Sequence, residues 1–227
     1  MSVLDRPLWA SLTGPHAHLA RAEGPVRRYR TEVNHFIAWA DDRPETLASV
    51  AELVAPGEQV YAGQVDPLPD LPGLTTILRR SAVQMVHDDI APPLGGDGEI
   101  VELGAGDASD MLALALLTQP GPFEAETWRM GRFFGVRRAG RLAAMAGQRM
   151  HPPGFVELSG VCTHPDFRGE GLATRLTKHV TRAILETGKT PFLHAWADNT
   201  GAIALYEKLG YRLRCEMNVA VFERARG

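Results

Sequence analysis

The run Leu158-Ser-Gly-Val-Cys-Thr-His-Pro-Asp-Phe-Arg-Gly-Glu-Gly-Leu-Ala-Thr174 decides how this chain is read. It begins as a strand ending near Thr163 and turns at His164-Pro165-Asp166. It then places Arg168, Gly169 and Gly171 ahead of an amphipathic helix in which Leu172, Leu176, Val180 and Ile184 recur at helical spacing up to a stop at Gly188. Glycines let a backbone approach a ligand with no Cβ in the way. The first turn of a helix offers unpaired N–H groups and a partial positive charge. Together these suit a pyrophosphate, and Arg168 adds a full charge with several donors. A lone Gly-x-Gly would be read as a tight strand–helix turn. The order of strand, proline turn, Arg-Gly-x-Gly-x-Ala and long helix is more specific.

Outward from this run, the second half reads clearly. Strands are predicted at Glu99 to Leu103, at Arg132 to Arg137 and Arg141 to Gln148 (a hairpin at Ala139-Gly140), at Phe155 to Thr163, at Phe192 to Ala197 and at Arg212 to Phe222. Helices are predicted from Asp107 or Ser109 to Thr118, from Gly171 to Thr187 and from Thr200 to Leu209. Ala91-Pro-Pro-Leu-Gly-Gly-Asp-Gly98 cannot continue a helix or a central strand and marks a linker. We therefore expect two units, residues 1–97 and 98–227. The first shows an α/β rhythm, with strands at Val26 to Tyr29, Gln59 to Val65 and Ala82 to Val86, a short apolar run at Phe36 to Trp39 that reads as strand or loop, and a helix at Glu45 to Val54, and carries no chemical motif.

Arg168-x-x-Gly171-x-Ala173 resembles the [Q/R]-x-x-G-x-[G/A] signature of the GNAT family of N-acetyltransferases. The resemblance spans roughly Ile100 to Phe222 and includes Asn199, Tyr206 and Leu209-Gly210-Tyr211. It implies an α/β (α+β) fold of GNAT type: a central mixed, mostly antiparallel sheet flanked by helices, preceded by a smaller α/β N-terminal domain. That first domain is either a degenerate copy of the same fold or an unrelated cap. The resemblance further implies acyl transfer from acetyl-CoA, a cosubstrate, to the amine of a small acceptor, without a metal. Val161, Cys162 and Thr163 stand where the family's fourth strand offers its backbone to the pantetheine arm. Arg168, Gly169, Glu170, Gly171, Leu172, Ala173 and Thr174 form the phosphate loop, and Asn199, which bonds the pantetheine or caps the last helix or does both, completes the cofactor contacts with Tyr206. Arg175 and Lys178 either reach the phosphates or decorate a solvated face.

For catalysis, the resemblance assigns Tyr206 as the acid that protonates the leaving thiolate. A free thiol titrates near about 8.5 and tyrosine near about 10, so the transfer is reasonable. The alternative is a core tyrosine with a satisfied hydroxyl. Glu157 lies eleven residues before Arg168, a spacing similar to that of the base glutamate in the histone-acetyltransferase branch. A partly buried carboxylate there is expected to have a raised pKa and to relay a proton through water. The alternative is a solvent-facing strand residue. His164 is a weaker base candidate. The acceptor pocket is expected around Trp128 to Phe134 and Arg212 to Asn218.

Bulk properties exclude other classes. The 227 residues carry a net charge of −3, with no basic excess for nucleic acid. No apolar stretch is long enough for a spanning helix, and the N-terminus lacks a signal-peptide pattern, so a cytoplasmic setting is expected. Cys162 and Cys215 read as reduced thiols, and His16 and His18 as surface residues without metal partners. A homodimer stays open. Two competing functions also stay open. Glu102-Leu-Gly-Ala-Gly-Asp107 is similar to the first motif of S-adenosylmethionine methyltransferases, with Glu124 and Glu126 near the spacing of its ribose-binding acid. A GNAT-type module that binds CoA without catalysis is the other.

Overall fold

The computed structural model describes residues 2–87 and 97–226. Most of the expected linker, residues 91–96, lies outside the described residues. Along the chain come α1 (Pro7–Leu12), β1 (Ala20–Glu23), β2 (Val26–Tyr29), β3 (Ile37–Trp39), α2 (Pro44–Ser49), β4 (Gln59–Gln64) and β5 (Thr75–His87). The second half adds β6 (Ile100–Leu103), α3 (Ala108–Thr118), β7 (Phe133–Arg138), β8 (Arg141–Gln148), β9 (Phe155–Thr163), α4 (Leu172–Leu185), β10 (Thr190–Trp196), α5 (Thr200–Lys208) and β11 (Tyr211–Glu223). In the second half these bounds follow the expected elements closely, because local periodicity and turn residues set them; in the first half α1 and β1 were not expected, and β5, expected only at Ala82 to Val86, begins at Thr75.

The first three strands form a small antiparallel sheet, β1-β2-β3. The other eight form one sheet in the order β4-β11-β5-β10-β9-β8-β7-β6. Within it only the β9–β10 pair is parallel, which gives the mixed, mostly antiparallel sheet expected of a GNAT fold. The first half is a small α/β unit compatible with a reduced second copy of that fold. Its strands β4 and β5 nevertheless join the large sheet, and β5 runs between β10 and β11. The hydrogen-bonded sheet thus crosses the expected boundary.

One face of the sheet is covered by α4, whose Leu172, Leu176, Val180 and Ile184 are buried against Val156, Leu158 and Leu193. Each such aliphatic side chain contributes roughly 1.5–3 kcal/mol on burial. The opposite face is shared by α3 and by the N-terminal segment. Leu4, Leu8 and Leu12 pack there with Tyr29, Met150 and Phe192.

His16, expected at the surface, is instead 4% exposed beneath that segment. Its Nδ1 lies 2.8 Å from the Tyr29 hydroxyl, and its ring stacks on His151 at 4.7 Å. A charged ring here would lose its hydration and face a second histidine. Burial first, then neighbouring histidines, hold His16 down to about 3. Burial also holds His151 down to about 4, with Lys189 adding to the effect. The unfolded chain therefore binds more protons between these values and the ordinary histidine range. The stabilisation is complete above about pH 6.5 and is lost as pH falls. From pH 7.5 to 5.5 the two rings together are expected to cost about 3 kcal/mol, lowering Tm by several degrees. Scanning calorimetry across that window checks this, and the His16→Gln variant should show a shallower decline.

Candidate active site

Two features meet at the end of β9. The first is a split in the sheet. β9 and β10 pair only at Phe155, Val156 and Glu157, opposite Thr190, Pro191 and Phe192. Beyond Glu157, β9 stays paired with β8 as far as Thr163, and β10 stays paired with β5 as far as Trp196. The β9 edge from Leu158 to Thr163 therefore faces β10 without strand bonds to it. Gly160, at φ +64°, sits where the β8–β9 register shifts, a bulge that bends the strand. The expected pantetheine-pairing residues Val161, Cys162 and Thr163 lie on this edge. Cys162 can offer only its backbone. Its thiol is buried with Met111 and Leu114 and pushed up to about 11 by that burial, which makes it inert.

The second feature is the loop into α4. Pro165–Phe167 form a single tight turn, and Arg168 follows in extended conformation. Gly169 and Gly171 take φ of +86° and +72°, with no atom within 4 Å of either missing Cβ. Gly171 occupies the N-cap of α4 and brings no capping side chain. Among the described residues, no hydrogen bond reaches the N–H groups of Gly169, Glu170, Gly171, Leu172, Ala173 or Thr174. The exposed Arg168 side chain has no partner among them either. A row of free donors at a helix N-terminus suits an anion. Arg175 does not join this row, because its guanidinium is held by Asp97 at 2.7 Å and Glu99 at 2.6 Å. His164 accepts the Asp166 N–H at 3.2 Å and lies 2.7 Å from Arg141, so its ring serves the turn.

Asn199 caps α5, its Oδ1 accepting the N–H of Ala202 at 3.1 Å. Tyr206, on α5, is 9% exposed and packs in the core on the α4 face. Burial pushes its hydroxyl up to about 12, and among the described residues no group bonds that hydroxyl. It is a neutral phenol with a free proton to donate.

Glu157 departs from expectation. It is not partly but fully buried, at 0% exposure. Burial alone would raise its pKa. The bidentate Arg149 contacts, both 2.7 Å, and the Nδ1 of His194 at 2.7 Å win instead and hold it near 2. The expected raised pKa is therefore corrected: an ion pair in a low-dielectric site outweighs desolvation here. With the Met150 N–H also within 3.3 Å, the carboxylate is an ionised anchor. Gln84 completes the arrangement. Its Oε1 accepts from Arg214 at 2.8 Å, which turns its amide nitrogen toward Nε2 of His194 at 3.0 Å and the carbonyl of Leu4 at 2.9 Å. His194 thus donates through Nδ1 and accepts through Nε2.

Arg149, His194 and Gln84 were not anticipated from the sequence. The period of β10 puts Phe192, His194 and Trp196 on one face, but only the β9–β10 register brings that face to Glu157. Of the expected acceptor regions, Phe133 lines a cleft beside Ser159 and Gly160. Arg212 to Asn218 lie on β11, separated from the split by β5 and β10.

The glycine loop at Gly104 to Asp107 follows β6, an edge strand antiparallel to β7. Asp107 accepts the Gly104 N–H at 3.0 Å and binds Arg137 at 2.6 Å. Glu124 is bound to His35 at 3.0 Å and Glu126 to Arg129 at 2.5 Å. The loop is a closed turn at the sheet edge, and its acids are committed to protein partners.

Comparison with known proteins agrees with this geometry. A family model described as FR47-like protein matches residues 133–220. A GNAT-family protein from Novosphingobium aromaticivorans is 42% identical, with 99% of this chain and 100% of that one covered and a TM-score of 0.93. A GCN5-related N-acetyltransferase from Kribbella flavida shares the fold at 18% identity, covering 97% and 96% of the two chains, with a TM-score of 0.66. No curated protein matches. The free-donor loop, the split sheet and whole-length similarity to a GNAT protein lead to one conclusion: this chain belongs to the GNAT family of acetyltransferases.

Proposed function

We propose that the protein transfers an acetyl group from acetyl-CoA to the amine of a small acceptor. The observation that carries this reading is the row of unbonded N–H groups from Gly169 to Thr174 beside the unpaired edge of β9. Backbone donors and the helix dipole suit a pyrophosphate, Arg168 supplies its countercharge, and the β9 edge is free to bond an amide-containing arm. Bound there, acetyl-CoA supplies an activated thioester carbonyl. An N–H on the Val161 to Thr163 edge polarises that carbonyl. The Tyr206 hydroxyl, neutral at all physiological pH, donates to the sulfur as charge develops on it. Asn199 fixes the start of the helix that carries Tyr206. Glu157 acts through His194 and Arg149, which it holds in place on the face opposite α4.

Titration calorimetry with acetyl-CoA, followed by a thiol-release assay with a panel of amines, tests this. Gly171→Val puts a branched Cβ into the anion site at a positive φ. It is expected to weaken acetyl-CoA binding about 100-fold, as loss of a charge-assisted donor set implies. Tyr206→Phe should keep binding and lower kcat about 100-fold or more. Binding of S-adenosylmethionine in place of acetyl-CoA would sink the reading. Unchanged turnover in Tyr206→Phe would leave a CoA site and remove the assigned acid.

A further inference from the structure

Beside the bulge of β9 lies a shallow cleft, open to solvent. Its walls include Pro122, Phe123 and Phe133, the Ser159–Gly160 segment of β9, and Arg149. Arg149 holds Glu157 through Nε and Nη2 only. Among the described residues, no acceptor bonds its Nη1. That nitrogen borders the cleft at Gly121, where an added Cβ would stand 3.7 Å from it. The guanidinium cannot swing away. It is clamped by two bonds to a fully buried carboxylate and lies over the Phe36 ring at 4.9 Å. A preorganised pair of N–H donors thus points into an otherwise largely apolar cleft, next to the strand edge where acyl transfer is read to occur.

We propose that Nη1 of Arg149 anchors the carboxylate of an α-amino acid with an apolar side chain, and that this amino acid is the acyl acceptor. The proposal rests on the acyl-transfer reading above. Planar guanidinium donors match a carboxylate geometrically. Arg149 is already neutralised by Glu157, so a lone carboxylate would leave an uncompensated charge in the cleft, whereas a zwitterion adds none. The side chain lies against Phe123, Phe133 and Pro122. In an α-amino acid the nitrogen is attached next to the carboxylate-bearing carbon, so anchoring at Arg149 keeps it in the same small cleft as Ser159 and Gly160. In the transfer, the amine nitrogen forms a bond to the thioester carbonyl carbon and the carbon–sulfur bond breaks. The ammonium of the zwitterion sheds one proton to solvent before the attack and the nitrogen sheds a second after it, and the departing sulfur takes a proton from Tyr206, which water restores.

The deciding measurement is calorimetric titration of the full chain, with and without CoA, using L-phenylalanine, a zwitterion, and phenethylamine, which differ only in the carboxylate. The carboxylate form is expected to bind about 10- to 100-fold tighter, the range for one charged hydrogen-bonded contact. In Arg149→Met/Glu157→Gln, which removes both charges together, the ratio should fall to near one. Equal affinities in the wild type, no binding of either probe, or an undiminished ratio in a folded double variant overturns the anchor. If the double variant fails to fold, the wild-type ratio decides alone. The two readings separate cleanly. Thiol release that is equally fast with amines lacking a carboxylate removes the anchor and leaves acyl transfer standing. Failure to bind acetyl-CoA removes acyl transfer itself.

Discussion

A chain beginning at residue 98 is expected to stay unfolded, although nearly all of the recognisable motif lies within it. The physical reason is β5. This strand, Thr75–His87, is hydrogen-bonded to β10 on one side and to β11 on the other. Without it, β11 has no partner in the large sheet, because its other neighbour, β4, is also lost. Two long strand edges would open, the arrangement that drives aggregation. The apolar residues Phe192 and Met150 would lose Leu4, Leu8 and Leu12 from above them, and Gln84 would no longer reach His194. Circular dichroism and soluble yield of a 98–227 chain provide the measurement. A soluble, cooperatively melting and active product would show that the second half closes its own sheet and that the first half contributes nothing to the pocket.

The second large effect concerns Glu157. Glu157→Ala is expected to destabilise the fold by about 3–5 kcal/mol, the cost of leaving one partner of a buried ion pair uncompensated. In a chain of this size that lowers Tm by roughly 10 °C. Arg149 would keep its charge at 15% side-chain exposure, and His194 would lose the acceptor that fixes its ring. Arg149→Met/Glu157→Gln removes both charges and should recover most of the loss, since a buried pair is worth little more than matched neutral groups. Thermal melts of the two variants decide it. An unchanged Tm in Glu157→Ala would mean the pair is hydrated and the carboxylate available as a base. The pH dependence has a definite sign. With Glu157 held near 2, its contribution is complete above the ordinary carboxylate range and is lost only as pH falls toward 2. Its loss is therefore distinct from that of His16 and His151, which sets in below about pH 6.5.

The loop Arg168 to Ala173 was legible because each of its requirements is local. Positive φ calls for glycine at 169 and 171, a helix start calls for an apolar period, and both are written within a few consecutive residues. The strands and helices of the second half were legible for the same reason, down to the hairpin at Ala139-Gly140 and the cap at Asn199; α1, β1 and the first seven residues of β5 in the first half were not. The anchor role of Glu157 was not. Its neighbours Arg149 and His194 stand 8 and 37 residues away in the chain, and the direction of its pKa shift depends on which of two opposed effects is larger, burial or pairing. Nor could the sequence show that His16 is buried, since a histidine between loop residues carries no period to place it.

The sequence by itself determined the glycine-loop geometry ahead of α4 and the kind and order of the elements in the second half, because hydrogen bonds and side-chain patterns within a short segment suffice for both. Only the tertiary structure decided that β5 from the first half completes the sheet, that the β9–β10 pairing stops at Glu157, and that Arg149 keeps a free edge in the cleft. Those outcomes depend on register and packing between segments far apart in the chain, where the free energy lies in contacts that no local pattern encodes.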